Sequence, residues 1–503
     1  MSEYTSLVDI VEALYDLNYV DQDRVALTGH SMGADQTNNT VRYYLTQAAT
    51  GEGENKIAAA LVIGSDPPYT SYEVEGLDEP VPVTIDYGVV EAKYDEWFFK
   101  QEDVGMDPAR YLESANAKAF IEQVGVTVDG NVENGRIYEG SINGQDYCRV
   151  IYQNTEIHPM NHFSRNTAAS AVNYFYTVFG VPNGYERIDE GNQVWFFKEL
   201  FNLVGLVGIF MLLFPLSYML LHTRFFSEII SKRDDVYVQK LPSLGDKVAY
   251  WIIFAIDTAI PALLLMPVGF KLIGQESFVP SIFNNVFGEP NTNELVGWSV
   301  AVALAILAVN VIYLFVRKRG SDIRAWGIQV SVRQFFKALL LAVLSVAGAY
   351  LVVFGVNYVF NTDFRIWVLA VKTFDLRKLV YALIYFPGFA IFYLINSLIT
   401  NNCNNVKGWK EWQKLLVSCI SNIAGMVVLI VIQYSALIAD GTITFNAMRI
   451  VNLFPLLVLI PVATILSRQY FKETKNIYTG SFVFGIFYAI VTCANTAFLG
   501  SLI

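Results

Sequence analysis

The chain has 503 residues, of which 54% are hydrophobic and only 16% charged, and its mean hydropathy is +0.38. That apolar excess excludes an ordinary water-soluble globule and makes a membrane the expected surroundings. A formal net charge of −11 argues against nucleic acid as a partner.

The apolar excess is unevenly spread. Residues 1–194 read as alternating strands, helices and acidic loops, and residues 195–503 as long apolar runs between short polar links. After Met1 the chain opens into an amphipathic helix over 4–18 rather than a cleavable signal peptide. An apolar run over 24–28 then ends in Gly29-His30-Ser31-Met32-Gly33, and a helical pattern follows over 34–48. A G-x-S-x-G between strand and helix is a nucleophile elbow, with Ser31 as nucleophile. The serine of such a turn has a strained backbone, so Gly29 and Gly33 are read as places where a Cβ would crowd it. The backbone N–H of Met32 is the oxyanion donor such an elbow supplies.

Ser31 needs a base to take its proton, and the base needs an orienting acid. Asp66 lies at the end of one strand pattern, in Gly64-Ser65-Asp66-Pro67-Pro68. A second strand pattern, over 81–90, places Asp86 mid-strand and leads into Glu91-Ala92-Lys93-Tyr94-Asp95-Glu96-Trp97. Asp95 falls just past that strand, where α/β sites collect, and is the first choice for the acid; Asp66 is the second. Glu96 is expected to point away from its neighbour. The chain has four histidines: His30, His158, His162 and His222. His30 adjoins the nucleophile inside the turn and His222 ends the first apolar run, which leaves His158 or His162 as the base. Both lie between a strand pattern over 147–152 and a helix over 166–179. His158, nearer the strand end, is preferred. Cys148, Cys403, Cys419 and Cys493 show neither metal spacing nor a disulfide framework, and nothing calls for a metal or organic cofactor.

Eight apolar runs follow, over about 201–221, 248–270, 295–316, 338–360, 379–399, 415–438, 448–467 and 481–499. Each exceeds the roughly 18 residues that cross a hydrocarbon core. Arg224, Lys232, Arg233, Lys240 and Lys247 follow the first run, and Arg317, Lys318, Arg319, Arg324, Arg333 and Lys337 the third. Lys407, Lys410 and Lys414 follow the fifth, and Arg468, Lys472 and Lys475 the seventh; the alternate links offer Lys271, Arg365, Lys372, Arg377 and Lys378. The more basic face is therefore expected to be cytoplasmic, and the N-terminal domain extracytoplasmic. Asp257 stands inside the second run, where a buried carboxylate is costly and a functional candidate. Pro261, Pro267 and Pro387 read as kinks in spans. The segment 363–372 reads as interfacial, or as the polar start of the fifth span. Asn310, Asn396, Asn422 and Gln433 read as interhelical hydrogen-bonding groups in preference to a transport path.

The elbow, the Lys93-Tyr94-Asp95-Glu96 turn and the His158 loop, in the order Ser31, Asp95, His158, resemble the α/β-hydrolase fold family over residues 20–180. The whole arrangement is similar to bacterial membrane-tethered α/β hydrolases. The resemblance implies an α/β fold class: a partial α/β-hydrolase sheet at 1–190, followed by an all-α polytopic membrane domain at 195–503. It implies a serine hydrolase in which Ser31 attacks an ester or amide, His158 shuttles the proton and Asp95 orients His158. The expected partners are the lipid bilayer and a small acyl, ester or peptide substrate. In that family several strands and a first oxyanion loop precede the elbow. Here 28 residues precede Gly29, so the elbow strand is expected at a sheet edge and the chain is read as an N-terminally incomplete form of a longer protein. The rival reading is a multi-span transporter or sensor carrying a vestigial, non-catalytic hydrolase domain.

Overall fold

The computed structural model describes residues 5–233, 235–272, 286–317 and 322–496. Met1, Tyr4, Lys318, Arg319, the Lys271 side chain and the end of the eighth run (497–499) lie outside what is described. The chain forms two compact units, Met1–Val194 with Ile432–Ala447, and Trp195–Val431 with Met448–Ile503. Residues 432–447, which the sequence reading places in the membrane domain, cluster with the N-terminal residues.

The first unit is built on a five-stranded sheet. Its strands are β1 (Ala26–His30), β2 (Ala59–Ile63), β3 (Asp86–Tyr94), β4 (Tyr138–Ile142) and β5 (Gln145–Ile157), in spatial order β1-β2-β3-β5-β4. The first four in that order run parallel and β4 closes one edge antiparallel. The helices are α1 (Thr5–Tyr15), α2 (Met32–Thr50), α3 (Ala115–Glu122) and α4 (Arg165–Phe179). Strand alternation sends Ala60 and Val62 into a core with Val11, Val41, Leu45 and Phe120 of α1–α3, and Ala59 and Leu61 into a second core with Tyr174 of α4. Helices on both faces explain why β2 is apolar along its whole length. Among the described residues β1 is an edge strand, paired only with β2, as expected. The third strand starts later than the 81–90 pattern suggests. Pro82 cannot donate to a ladder, and Val81 makes only an isolated bridge with Tyr72. Asp86 therefore opens the strand instead of sitting within it, and its Oδ1 accepts the Cys148 N–H at 2.8 Å.

The second unit is helical. Counting the helix whose residues are divided between the two units, the described residues hold eight helices long and apolar enough to cross a membrane: Trp195–Leu221, Leu244–Val268, Pro290–Val316, Val332–Phe360, Leu376–Cys403, Glu411–Asp440, Ala447–Thr474 and Tyr478–Asn495. Each matches one apolar run and begins earlier than it, where caps sit in the polar links: Ser243 with Asp246 and Ser331 with Gln334 form capping boxes, and Asp375 caps the fifth. Large apolar side chains face outward, among them Phe315 at 83% and Phe360 at 71% exposure, as suits helices surrounded by lipid. Every residue from 479 to 493 is buried, so the last helix runs through the middle of this unit.

Pro261 and Pro387 lie within helices, as do Pro215 and Pro461, and Pro267 sits in a π-helical stretch, Leu265–Leu272. The Leu265 N–H turns to Ala262, and the Pro261 carbonyl accepts from Trp298 Nε1 at 2.9 Å, which shows how a neighbouring helix satisfies a group freed by the break. The segment 363–372 is not the start of the fifth span, whose helix begins at Leu376. It forms a hairpin, β6 (Phe364–Ile366) with β7 (Leu369–Val371). Asp257 is buried, and its Oδ2 accepts from Asn310 Nδ2 at 2.8 Å.

Candidate active site

Strand register assembles this site. His30 pairs with Ile63, Ile63 with Val90, and Tyr94 with Ile157. The next residues along β1, β3 and β5 are Ser31, Asp95 and His158, so the parallel strands deliver all three to one end of the sheet. A register irregularity between Ala92 and Tyr94 sets Tyr94 opposite Ile157 and brings Asp95 abreast of His158.

Ser31 has φ 55° and ψ −121°, a conformation L-residues rarely adopt. Strand pairing holds it on one side, where its N–H donates to the Ile63 carbonyl at 2.9 Å. The first turn of α2 holds it on the other, where its carbonyl accepts from Ala34 and Asp35 at 2.8 and 3.1 Å. Gly29 is required, since a Cβ there would lie 2.2 Å from the Gly33 carbonyl oxygen. Gly33 is different: nothing lies within 4 Å of a Cβ built on it, which corrects the expectation that both glycines are sterically demanded. Met32 is the first residue of α2, a position whose N–H has no intrahelical acceptor, and its side chain is exposed.

His158 opens a 3-10 turn, His158–Phe163, directly after β5. Its Nδ1 lies 2.7 Å from Asp95 Oδ2. A carboxylate accepts, so Nδ1 carries the proton and Nε2 carries the lone pair. Asp95 is fully buried, and its Oδ1 accepts the N–H groups of Trp97 and Phe98, each at 2.8 Å. Rings of His30, Trp97 and Phe98 pack around the imidazole, with centroids 4.6, 4.9 and 5.6 Å away. Gly64, at φ 61°, lies close beneath it; a Cβ there would be 2.9 Å from Cε1. Below the loop, Glu156 Oε1 accepts from Asn161 Nδ2 at 2.7 Å and Thr167 Oγ1 at 2.5 Å, which pins the turn to α4.

Of the two histidines left open by the sequence, His158 meets the buried acid. His162 is exposed at the end of the turn, its ring 5.4 Å from that of His30. Asp66, the alternative acid, turns Oδ1 to the Tyr69 hydroxyl at 2.6 Å and the Phe99 N–H at 3.1 Å, and its burial raises its pKa. His30 Nε2 lies 3.2 Å from the His158 carbonyl. Burial, followed by the neighbouring histidines, lowers its pKa to about 4, so it is neutral at pH 7.

The sequence reading gives no role to two buried carboxyls. Glu91 is fully buried within β3, takes a hydrogen bond from Gln153 Nε2 at 3.1 Å, and is pushed well above the usual carboxylate range by desolvation. Glu96 does not point away. Its Oε2 accepts the backbone N–H of His158 at 3.0 Å and its Oε1 accepts from the Tyr434 hydroxyl at 3.0 Å. Burial first, then the adjacent Asp95, raises it to about 7. A Glu beside an acid gives no sign of its direction in the sequence, and Tyr434 lies 338 residues away.

Asp257 belongs to the other unit and is no part of this constellation. Comparison of the chain with protein-family models, with curated proteins and with solved structures finds no match.

Proposed function

We propose that the chain is a membrane-anchored serine hydrolase cleaving an ester or amide. The observation that carries this reading is the buried Asp95–His158 pair, 2.7 Å apart, at the same sheet end as a serine held at φ 55°. In the proposed reaction His158 Nε2 takes the proton of the Ser31 hydroxyl as Oγ attacks the carbonyl carbon, and the N–H of Met32 faces the developing oxyanion. His158 returns the proton to the leaving alkoxide or amine, and an acyl ester on Ser31 remains. Water, deprotonated by His158, then releases the acid and restores Ser31. Asp95 keeps the imidazole in the tautomer this requires and stabilises the imidazolium formed between steps.

The eight helices make the protein integral to a membrane by length and composition. Two observations support an extracytoplasmic site: the basic residues gathered in the links after the first, third, fifth and seventh spans, and the clustering of 432–447, around the link after the sixth, with the N-terminal unit. A site held at the bilayer suits a small acyl, ester or peptide substrate found there. The test is labelling of the full-length protein by a fluorophosphonate probe. Labelling lost in Ser31→Ala is expected, and a wild-type protein that does not react at Ser31 refutes the proposal. The transporter or sensor alternative draws on the buried Asp257–Asn310 pair alone. It is favoured if the cellular role survives Ser31→Ala and is lost in Asp257→Asn.

A further inference from the structure

Residues 432–447 form the end of the sixth apolar helix and the link after it, yet they belong to the same compact unit as the candidate site. Their attachment is specific. Lys100 Nζ donates to the Gly441 carbonyl at 3.1 Å, and Gln433 Oε1 accepts the Phe445 N–H at 2.8 Å, folding the link back on the helix end. Tyr434 reaches Glu96 from this segment, and the other oxygen of Glu96 holds the backbone of His158.

From this chain of contacts we infer that Tyr434 is a positioning residue for His158, acting through the Glu96 carboxylate, so that a membrane-spanning helix forms part of the catalytic scaffold. The inference rests on the hydrolase reading above and assigns to the end of the sixth apolar helix a role beyond anchoring.

The chemistry is one of shared acceptors. Tyr434 O–H and His158 N–H are both donors, and a carboxylate offers each its own oxygen. Ionised Glu96 therefore grips both at once. When protonated it can donate that hydrogen to Tyr434 Oη, but the oxygen that accepts from His158 N–H is no longer charged, and the grip on the main chain weakens. The imidazole is fixed at two points: Asp95 holds the ring at Nδ1 and Glu96 holds the main chain of the same residue. Releasing the second lets the ring move relative to Ser31, and a displacement of about 1 Å at a reacting group costs roughly a hundredfold in rate. The charged and titratable groups facing Glu96 are Asp95 on the same turn, Lys100 further along it, His158 and Tyr434. With Glu96 titrating at about 7, the hold is present above that pH and lost as pH falls through it.

The inference is tested by the second-order rate of fluorophosphonate labelling at Ser31, measured from about pH 5 to 9 on full-length protein in detergent. The variants are Tyr434→Phe and Glu96→Gln. Phenylalanine keeps the packing and removes one bond to a charged acceptor, so a roughly tenfold loss at pH 8 is expected. It also removes a donor that favours ionised Glu96, so the acid limb should move to higher pH. Glutamine can accept from His158 N–H and donate to Tyr434 Oη. As a neutral stand-in for protonated Glu96 it should lower the pH 8 rate toward the rate the wild type shows below pH 7, and make the acid limb shallower, with the Glu96 ionisation gone. A role in stability alone would lower the rate without moving the limb. Wild-type labelling with an unmoved limb in Tyr434→Phe overturns this inference and leaves the hydrolase reading standing. Absence of Ser31 labelling in the wild type overturns the hydrolase reading itself.

Discussion

Asp95 offers a sharp test because its two oxygens do different work. Oδ1 accepts two backbone N–H groups at 2.8 Å and shapes the turn, while Oδ2 accepts His158 Nδ1–H at 2.7 Å. Asp95→Asn preserves the first function, since the amide oxygen can still accept from Trp97 and Phe98. It reverses the second: the amide nitrogen now donates to Nδ1, and the imidazole proton moves to Nε2, where the proposed reaction needs the lone pair. A base locked in the wrong tautomer costs roughly 10³–10⁴ in rate, or about 4–5.5 kcal/mol of transition-state stabilisation. Asp95→Ala removes both functions. Two bonds to a charged acceptor at about 1.5 kcal/mol each put its folding cost near 3 kcal/mol. Labelling rates and thermal unfolding in the same detergent separate the two. Asn should be folded and nearly inert, and Ala inert and destabilised. Asp66→Asn is the control and should label within about threefold of wild type. An Asp95→Asn protein that reacts at the wild-type rate, or an Asp66→Asn protein as inert as Asp95→Asn, refutes this account of the acid.

Ser31→Gly should abolish labelling yet stabilise the first unit by about 0.5–2 kcal/mol. It releases backbone strain of about 1–3 kcal/mol against a glycine entropy cost of roughly 0.5–1 kcal/mol. Ser31→Ala, which keeps the strain, is the comparison in thermal melts. Gly29→Ala drives a Cβ to 2.2 Å from the Gly33 carbonyl and should cost about 1–3 kcal/mol, whereas Gly33→Ala should stay within about 0.5 kcal/mol, measured in the same melts. Glu91 ionises far less readily folded than unfolded, so the native state binds more protons and stability falls as pH rises above the ordinary glutamate value. Glu91→Gln can still accept from Gln153 and should raise the melting temperature more at pH 8 than at pH 5; an equal shift at both refutes a buried neutral acid.

Local pattern and composition determine much of this protein. The eight apolar helices are legible because a helix in hydrocarbon must satisfy its own backbone, which forces about 18 or more apolar residues into one uninterrupted stretch. The strand-turn-helix around Ser31 is legible because a sharp turn leaves a glycine where a Cβ cannot fit. Counting histidines narrows the candidates for the proposed base to two, since so few are present. Tertiary structure decides what spacing cannot express. Register across β3 and β5, with its irregularity before Tyr94, chooses Asp95 over Asp66 and His158 over His162 as the pair in contact, because pairing partners are set by the whole sheet. The direction of Glu96, the neutral burial of Glu91 and the hairpin at 364–371 depend on neighbours remote in the chain. The contact of Tyr434 with Glu96 is the extreme case. A hydrophobic pattern marks residues 411–440 as one apolar helix, but only the folded chain brings the end of that helix to the N-terminal sheet, where a single hydroxyl meets the carboxylate that holds His158.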